Sequence, residues 1–173
     1  METNTKYNFK WENLGDLNLG RPNLGTNMHL AVYRLMQYTM RDVIEKHLGP
    51  EKTNELFVEV GYKAGTEFCK NALNCTLDFN AFVANLTETL EKFGIGVLRV
   101  EKADLEKMAF VLTVSEDLDC SGLPVSGVPV CDYDEGFIAG IMHSYTGKNF
   151  KVKEIDCWCT GDRTCRFTVD LLN

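Results

Sequence analysis

No apolar run in this sequence approaches the ~20 residues that a membrane-spanning helix needs, and Met1-Glu2-Thr3-Asn4-Thr5-Lys6 has no apolar stretch behind it. Neither a secretory leader nor a membrane span is expected, and the chain is expected in the cytoplasm. Basic clusters are missing too: 18 Lys and Arg face 25 Asp and Glu, for a formal net charge of −7. That balance argues against nucleic acid or an anionic membrane as the main partner, because phosphate binding needs clustered cations. Histidine is scarce, at three residues, and none has a neighbour that makes an acid–base or nucleophilic pair. A Gly-x-Gly-x-x-Gly fingerprint for a nicotinamide or flavin cofactor is absent. These gaps lean against an enzyme acting alone.

What is present suits one globular domain. A chain of 173 residues buries roughly 70% of its unfolded surface in one core. Seven cysteines in a reducing compartment read as thiols or metal ligands, not as a disulfide framework.

Residues 1–27 are polar and repeat Asn-Leu-Gly at 13–15, 18–20 and 23–25. Such triplets favour successive turns. With Phe9, Trp11 and the three leucines as anchors, the segment reads as an ordered N-terminal arm before a domain over 28–173. Asn27 caps a first long helix, about 28–48, whose Met28, Val32, Leu35, Met36, Thr39, Val43 and Leu48 make one apolar face. Gly49 stops it, and Pro50 opens a second, about 51–74, with Leu56, Phe57, Val60, Ala64, Phe68 and Leu73 inward. Gly61 and Gly65 stand four apart on that side. Each costs up to ~1 kcal/mol against Ala, so a close helix–helix contact is expected there. Cys69 and Cys75 read as small hydrophobes. Asp78 caps a third helix, about 79–93, ended by Gly94. Strands follow near 95–100 and 108–114, then a loop at 115–130. A helix starts at Asp132 or Asp134 and runs to about 145, with Gly136 and Gly140 on one face, before strands near 149–159 and 164–171. Segregated runs of helix and strand make an α+β fold, with helices packed on one face of a small antiparallel sheet.

The last third holds the chemistry. Cys131, Glu154, Cys157 and Cys165 follow one another at spacings of twenty-three, three and eight. A hairpin turning at Gly161 sets Cys157 opposite Cys165, with Cβ atoms ~5 Å apart. Two thiolates there can share one zinc at Zn–S ~2.3 Å. Cys131 begins a helix, whose dipole favours the thiolate. A regular strand, however, sends Glu154 and Cys157 to opposite faces and Cys157 and Cys159 to the same one. Spacing alone selects Cys159 as the fourth donor, and Glu154 enters only through a bulge or a strand end.

Cys-Asp-Tyr-Asp-Glu-Gly-Phe-Ile-Ala-Gly from Cys131, with Val-Lys-Glu-Ile-Asp-Cys-Trp-Cys-Thr-Gly-Asp-Arg-Thr-Cys-Arg-Phe from Val152, resembles the 4-vinyl reductase domain family over roughly 28–172. That family includes sensor domains of aromatic-responsive activators and is related in fold to TRAPP subunits and, more distantly, to haem-based sensors. The resemblance implies structural zinc on Cys131, Glu154, Cys157 and Cys165, with no open position for catalysis. It also implies a homodimer, a downstream protein partner, and an apolar cavity for a hydrophobic small molecule. Tyr33, Phe57, Phe68, Phe82, Phe110 and Phe137 are the pocket candidates. Phe82 and Phe110 stand where phenol sensors carry His and Trp, which implies a more apolar ligand. His143 is the residue to test for haem or another tetrapyrrole. The alternatives are an accessory protein or enzyme of tetrapyrrole vinyl-group reduction, and a dimeric interaction module.

Overall fold

The computed structural model describes residues 7–172; the start of the expected N-terminal arm, residues 1–6, lies outside them. Around a four-stranded antiparallel sheet of order β1-β2-β4-β3 lie helices in the α+β arrangement expected from the sequence. After two short turns of helix, Trp11–Leu14 (3-10) and α1 (Leu17–Gly20), come α2 (Leu30–Leu48), α3 (Pro50–Ala72) and α4 (Phe79–Phe93). The hairpin β1 (Val97–Asp104) and β2 (Ala109–Ser115), the helix α5 (Asp132–Thr146), and the strands β3 (Phe150–Asp156) and β4 (Cys165–Leu171) complete the chain.

Local chemistry sets most boundaries. Asp78 caps α4 by accepting from Ala81 N–H at 3.0 Å, and Gly94 ends it in the left-handed conformation at φ 67°. Pro50 occupies the first turn of α3, where its missing N–H costs nothing. In β3, Phe150, Val152 and Glu154 are buried while Lys151 and Lys153 are exposed, so one sheet face meets the helices and the other meets water.

The tightest contact in the molecule is α3 on α5. A Cβ on Gly61 would lie 2.9 Å from the Tyr133 carbonyl carbon and closer still to its oxygen. One on Gly65 would meet the Phe137 carbonyl, one on Gly136 the Val58 carbonyl, and one on Gly140 the Tyr62 carbonyl. Both glycine pairs read from the sequence therefore face each other across one crossing, and glycine is what lets the two backbones approach.

Several expectations are corrected. His29, not Asn27, caps α2, its Nδ1 accepting from Ala31 N–H at 3.1 Å. The apolar face of α2 points outward: Val32, Leu35, Met36 and Val43 are 53–67% exposed, and the inward residues are Tyr33, Arg34, Gln37, Tyr38 and Arg41. Polar groups win the inner face because they find partners on a turn at 117–121, described below. Val60 on α3 is exposed as well. In the N-terminal arm, Trp11 does anchor, its N–H donating to Glu67 at 2.9 Å and its ring meeting Phe68 edge-on. Leu14, Leu19 and Leu24 do not, being exposed.

Candidate functional site

Four cysteines from four segments converge. Cys120 comes from the loop after β2, Cys131 is the N-cap of α5, Cys157 follows β3, and Cys165 opens β4. Their Sγ atoms all lie within 4.8 Å of one another and all four residues are buried. Cys131 Sγ stands 3.8 Å from both Cys157 and Cys165, and Cys120 Sγ 3.1 Å from Cys165. The Cys157–Cys165 juxtaposition arises where the β3–β4 ladder ends at Asp156–Arg166. A short 3-10 turn, Trp158–Thr160, then joins the strands, with Thr160 N–H and Asp162 N–H donating to the Cys157 carbonyl at 3.0 and 3.2 Å. Such a cluster of four buried thiols can hold a metal ion.

Glu154 reaches the same region by the device its spacing demanded. The β3–β4 register shifts between Glu154 and Asp156, so Ile155 bulges outward, 52% exposed, while Glu154 and Cys157 are both buried. Both carboxylate oxygens of Glu154 are buried without a hydrogen-bond partner. An orphaned buried carboxylate beside four thiols is costly unless a cation or a proton satisfies it. Burial, and then the neighbouring Cys157 thiolate, push its carboxyl up to about 8. Its backbone is fixed by Glu135, whose Oε1 accepts from Glu154 N–H at 2.9 Å and from Lys153 Nζ at 2.7 Å. Cys159, the donor that simple strand geometry selects, is buried in the 3-10 turn and lies outside the four-thiol group.

The electrostatics of the thiols differ from those expected at a helix start. Hydrogen bonding to the Cys120, Cys157 and Cys165 thiols, together with burial, pushes the Cys131 thiol up and overrides the dipole of α5. The lowered group is Cys157, on which the Cys120, Cys131 and Cys165 thiols converge as donors. Cys69 and Cys75 pair with each other, Sγ to Sγ 3.2 Å, away from the cluster.

Beside the thiols lies an apolar cavity of about 50 Å³, several times the ~10–15 Å³ that one water requires. Leu86 and Leu90 of α4, Leu98, Leu112 and Val114 of the sheet, and Phe137, Ile138, Ile141 and Met142 of α5 line it. Its acidic lining residues are Asp117 and Asp134. Asp117 Oδ1 is occupied, accepting from Asp119 N–H and Cys120 N–H at 2.9 Å each. Asp134 Oδ2 is buried and unpartnered. Burial, and then the charges of Asp117 and Asp119, raise the Asp134 carboxyl well above its ordinary range; burial and Asp119 push Asp117 to about 7.

Of the six aromatic pocket candidates, Phe137 lines this cavity. Tyr33 donates instead to Asp119 at 2.7 Å, and Phe57 lies under the Arg41 guanidinium. Phe68 packs on Phe137 and Phe93, Phe82 stacks on Tyr145, and Phe110 stacks on Phe79. His143, near the end of α5, has Nδ1 3.3 Å from the Lys148 carbonyl and its ring against Tyr62, outside the cavity lining. Sequence reasoning missed Cys120, Asp117 and Asp134. All three are ordinary in one dimension; the nearest signal was the acidic run Glu116-Asp117-Leu118-Asp119 leading into a cysteine.

Residues 110–171 match the 4-vinyl reductase domain family. An uncharacterized protein of Methanocaldococcus jannaschii is 27% identical over 150 residues, 87% of this chain and 82% of that protein. The phenol-responsive sensory domain of the transcription activator PoxR, solved with phenol, superposes with a TM-score of 0.65 at 17% identity, covering 83% of this chain and 75% of that one. A trafficking protein particle complex subunit 3 from Naegleria fowleri, covalently bound to palmitic acid, superposes at 0.64 with 13% identity, covering 83% and 95%. At these identities the solved structures show the fold. Among the described residues, no helix is long and apolar enough to cross a membrane.

Proposed function

We propose that this chain, matching the 4-vinyl reductase domain over residues 110–171, is a zinc-stabilised domain that binds a small hydrophobic molecule and passes its state to a partner protein. The observation that carries the reading is the apolar cavity with one unpartnered carboxyl oxygen, Asp134 Oδ2, at its wall. A phenol-bound sensory domain and a palmitate-bound subunit of the same fold support it. Zinc is supported by the buried thiols and by the orphaned Glu154 carboxylate beside them. Cys131, Cys157 and Cys165 would hold it, with Glu154 the family-implied fourth donor; bound there, it supplies folding energy and no open coordination position.

The lining selects the ligand. A hydroxyl both donates and accepts, which suits a buried carboxyl such as that of Asp134. A carboxylate ligand is disfavoured, since Asp117, Asp119 and Asp134 already crowd the polar end. A hydroxylated apolar molecule, an alkanol or a phenol, is therefore the class proposed. In thermal-shift and calorimetric titrations, phenols and short alkanols should bind, and carboxylates of equal carbon number should not. Asp134→Leu should move two observables in opposite directions. It removes an unpartnered buried polar group, so the fold gains about 1–3 kcal/mol. It also removes the hydroxyl's partner, so affinity falls about tenfold, one hydrogen bond at ~1.4 kcal/mol. Equal shifts from alkanols and carboxylates, or none from either, would sink the reading.

The outward apolar face of α2 supports a dimer. Val32, Leu35, Met36 and Val43 form a contiguous exposed stripe on one helix, the kind of surface that is normally covered. Sedimentation of the wild type should give two chains, and Leu35→Glu should give one with an unchanged thermal midpoint. A wild-type monomer at micromolar concentration would remove the dimer from the proposal.

A further inference from the structure

We propose that Cys120 is a metal ligand and completes an all-thiolate site with Cys131, Cys157 and Cys165. The inference rests on the reading that the thiol cluster holds a metal, and it changes the ligand set that the family resemblance implies. Four sulfurs around a tetrahedral zinc at ~2.3 Å stand about 3.8 Å apart. Cys131 already has that separation from both Cys157 and Cys165, at 3.8 Å. Cys120 is 0% exposed, its Sγ 3.1 Å from Cys165, and it belongs to the four residues whose sulfurs lie mutually within 4.8 Å. Among the described residues, the group of mutually close ligand atoms at this point contains Cys120 and not Glu154. Four sulfurs close a tetrahedron, so a carboxylate oxygen is not needed in the inner sphere.

The loop is built to present Cys120. Asp117 Oδ1 accepts from Cys120 N–H at 2.9 Å and closes a turn over 117–120. Arg34 of α2 holds the turn from outside, donating to the carbonyls of Leu118 at 2.8 Å, Ser121 at 2.9 Å and Asp117 at 3.3 Å. Tyr33 and Gln37 donate to the two oxygens of Asp119 at 2.7 and 2.8 Å, and Tyr38 to its carbonyl at 3.0 Å. The same turn thus carries the thiol into the cluster, a carboxylate into the cavity wall through Asp117, and the docking surface for the inner face of α2. A metal–Cys120 bond would tie all three together, so the metal clamps α2 as well as the β3–β4 end.

X-ray absorption at the zinc edge of the wild-type, zinc-loaded protein reads the ligand set without any substitution. Four sulfurs at about 2.3 Å are expected; three sulfurs and one oxygen would overturn the assignment of Cys120. Cobalt-substituted variants give an independent readout. Each thiolate contributes sulfur-to-cobalt charge-transfer absorption, so Cys120→Ser should lose about a quarter of the intensity of a four-thiolate site, and Glu154→Gln should lose none. The reverse pattern would overturn the proposal. Hydrogen exchange across α2 should accelerate in Cys120→Ser and stay unchanged in Glu154→Gln. If the wild type binds no metal at equimolar zinc, the underlying metal reading fails, and that outcome differs from zinc bound through three sulfurs.

Discussion

Gly61→Ala is expected to destabilise the fold by more than ~4 kcal/mol, although alanine is the better helix former by up to ~1 kcal/mol. The added methyl would sit 2.9 Å from Phe137 N and from the Tyr133 carbonyl carbon, and nearer still to the Tyr133 oxygen. Those are backbone atoms in the middle of α5, so no side-chain rotation relieves the overlap. Ordinary overpacking of a core costs about 1–3 kcal/mol because neighbours can shift; here the only shift available is separation of the two helices. Gly136→Ala should behave the same way, since its methyl would meet Val58 and Tyr62 backbone. Gly20→Ala, with nothing within 4 Å of the added methyl, is the control and should be neutral or slightly stabilising. Thermal and urea unfolding measure all three. Alanine at 61 stabilising the protein would mean that α3 and α5 do not pack as described. The effect should extend to the site, because Cys131 caps α5 and Asp134, Phe137 and Ile138 on it face the cavity.

This crossing is also where the sequence was most legible. Two glycine pairs at four-residue spacing, on two separate helices, are hard to explain except by close approach, and they meet each other. Glu154 was legible in a different way: the period of a strand said that it needed a bulge to join Cys157, and the bulge is at Ile155. Where the sequence misled, tertiary partners outweighed a one-dimensional pattern. The apolar stripe of α2 read as a buried face, yet Arg34, Gln37 and Tyr38 take the inner side because the turn at 117–121 offers them carbonyls and a carboxylate. Cys120 could not be placed because it lies in a loop without period, and its partners are 11, 37 and 45 residues away. Most of the aromatic candidates pack on other aromatics, an arrangement worth ~0.5–1.5 kcal/mol per pair beyond burial, and so serve the core.

Cys157→Ser and Cys165→Ser should each lose metal and leave the domain largely unfolded at about 37 °C, while Cys159→Ser should keep one zinc and cost only about 1–3 kcal/mol for its buried hydroxyl. The difference follows from where the free energy resides. Apparent binding of structural zinc to small domains is worth roughly 10–16 kcal/mol, more than the ~5–15 kcal/mol by which whole domains are stable. Around the cluster there is little else to hold three chain segments together: the β3–β4 ladder stops at Asp156–Arg166, and a loop from Ser115 to Cys131 has no strand or helix of its own. Without metal, four buried thiols and the orphaned Glu154 carboxylate face one another with no cation to satisfy them. A chelator should therefore mimic Cys157→Ser in the wild type and add nothing further to the variant. Cys159 lies close to Cys157 in sequence and is equally buried, 2% exposed, so it controls for burial of a polar atom alone. Metal content by mass spectrometry and unfolding midpoints on the same samples decide the matter. Equal, mild losses at 157, 159 and 165 with no change in metal content would end the claim that a metal holds this end of the sheet.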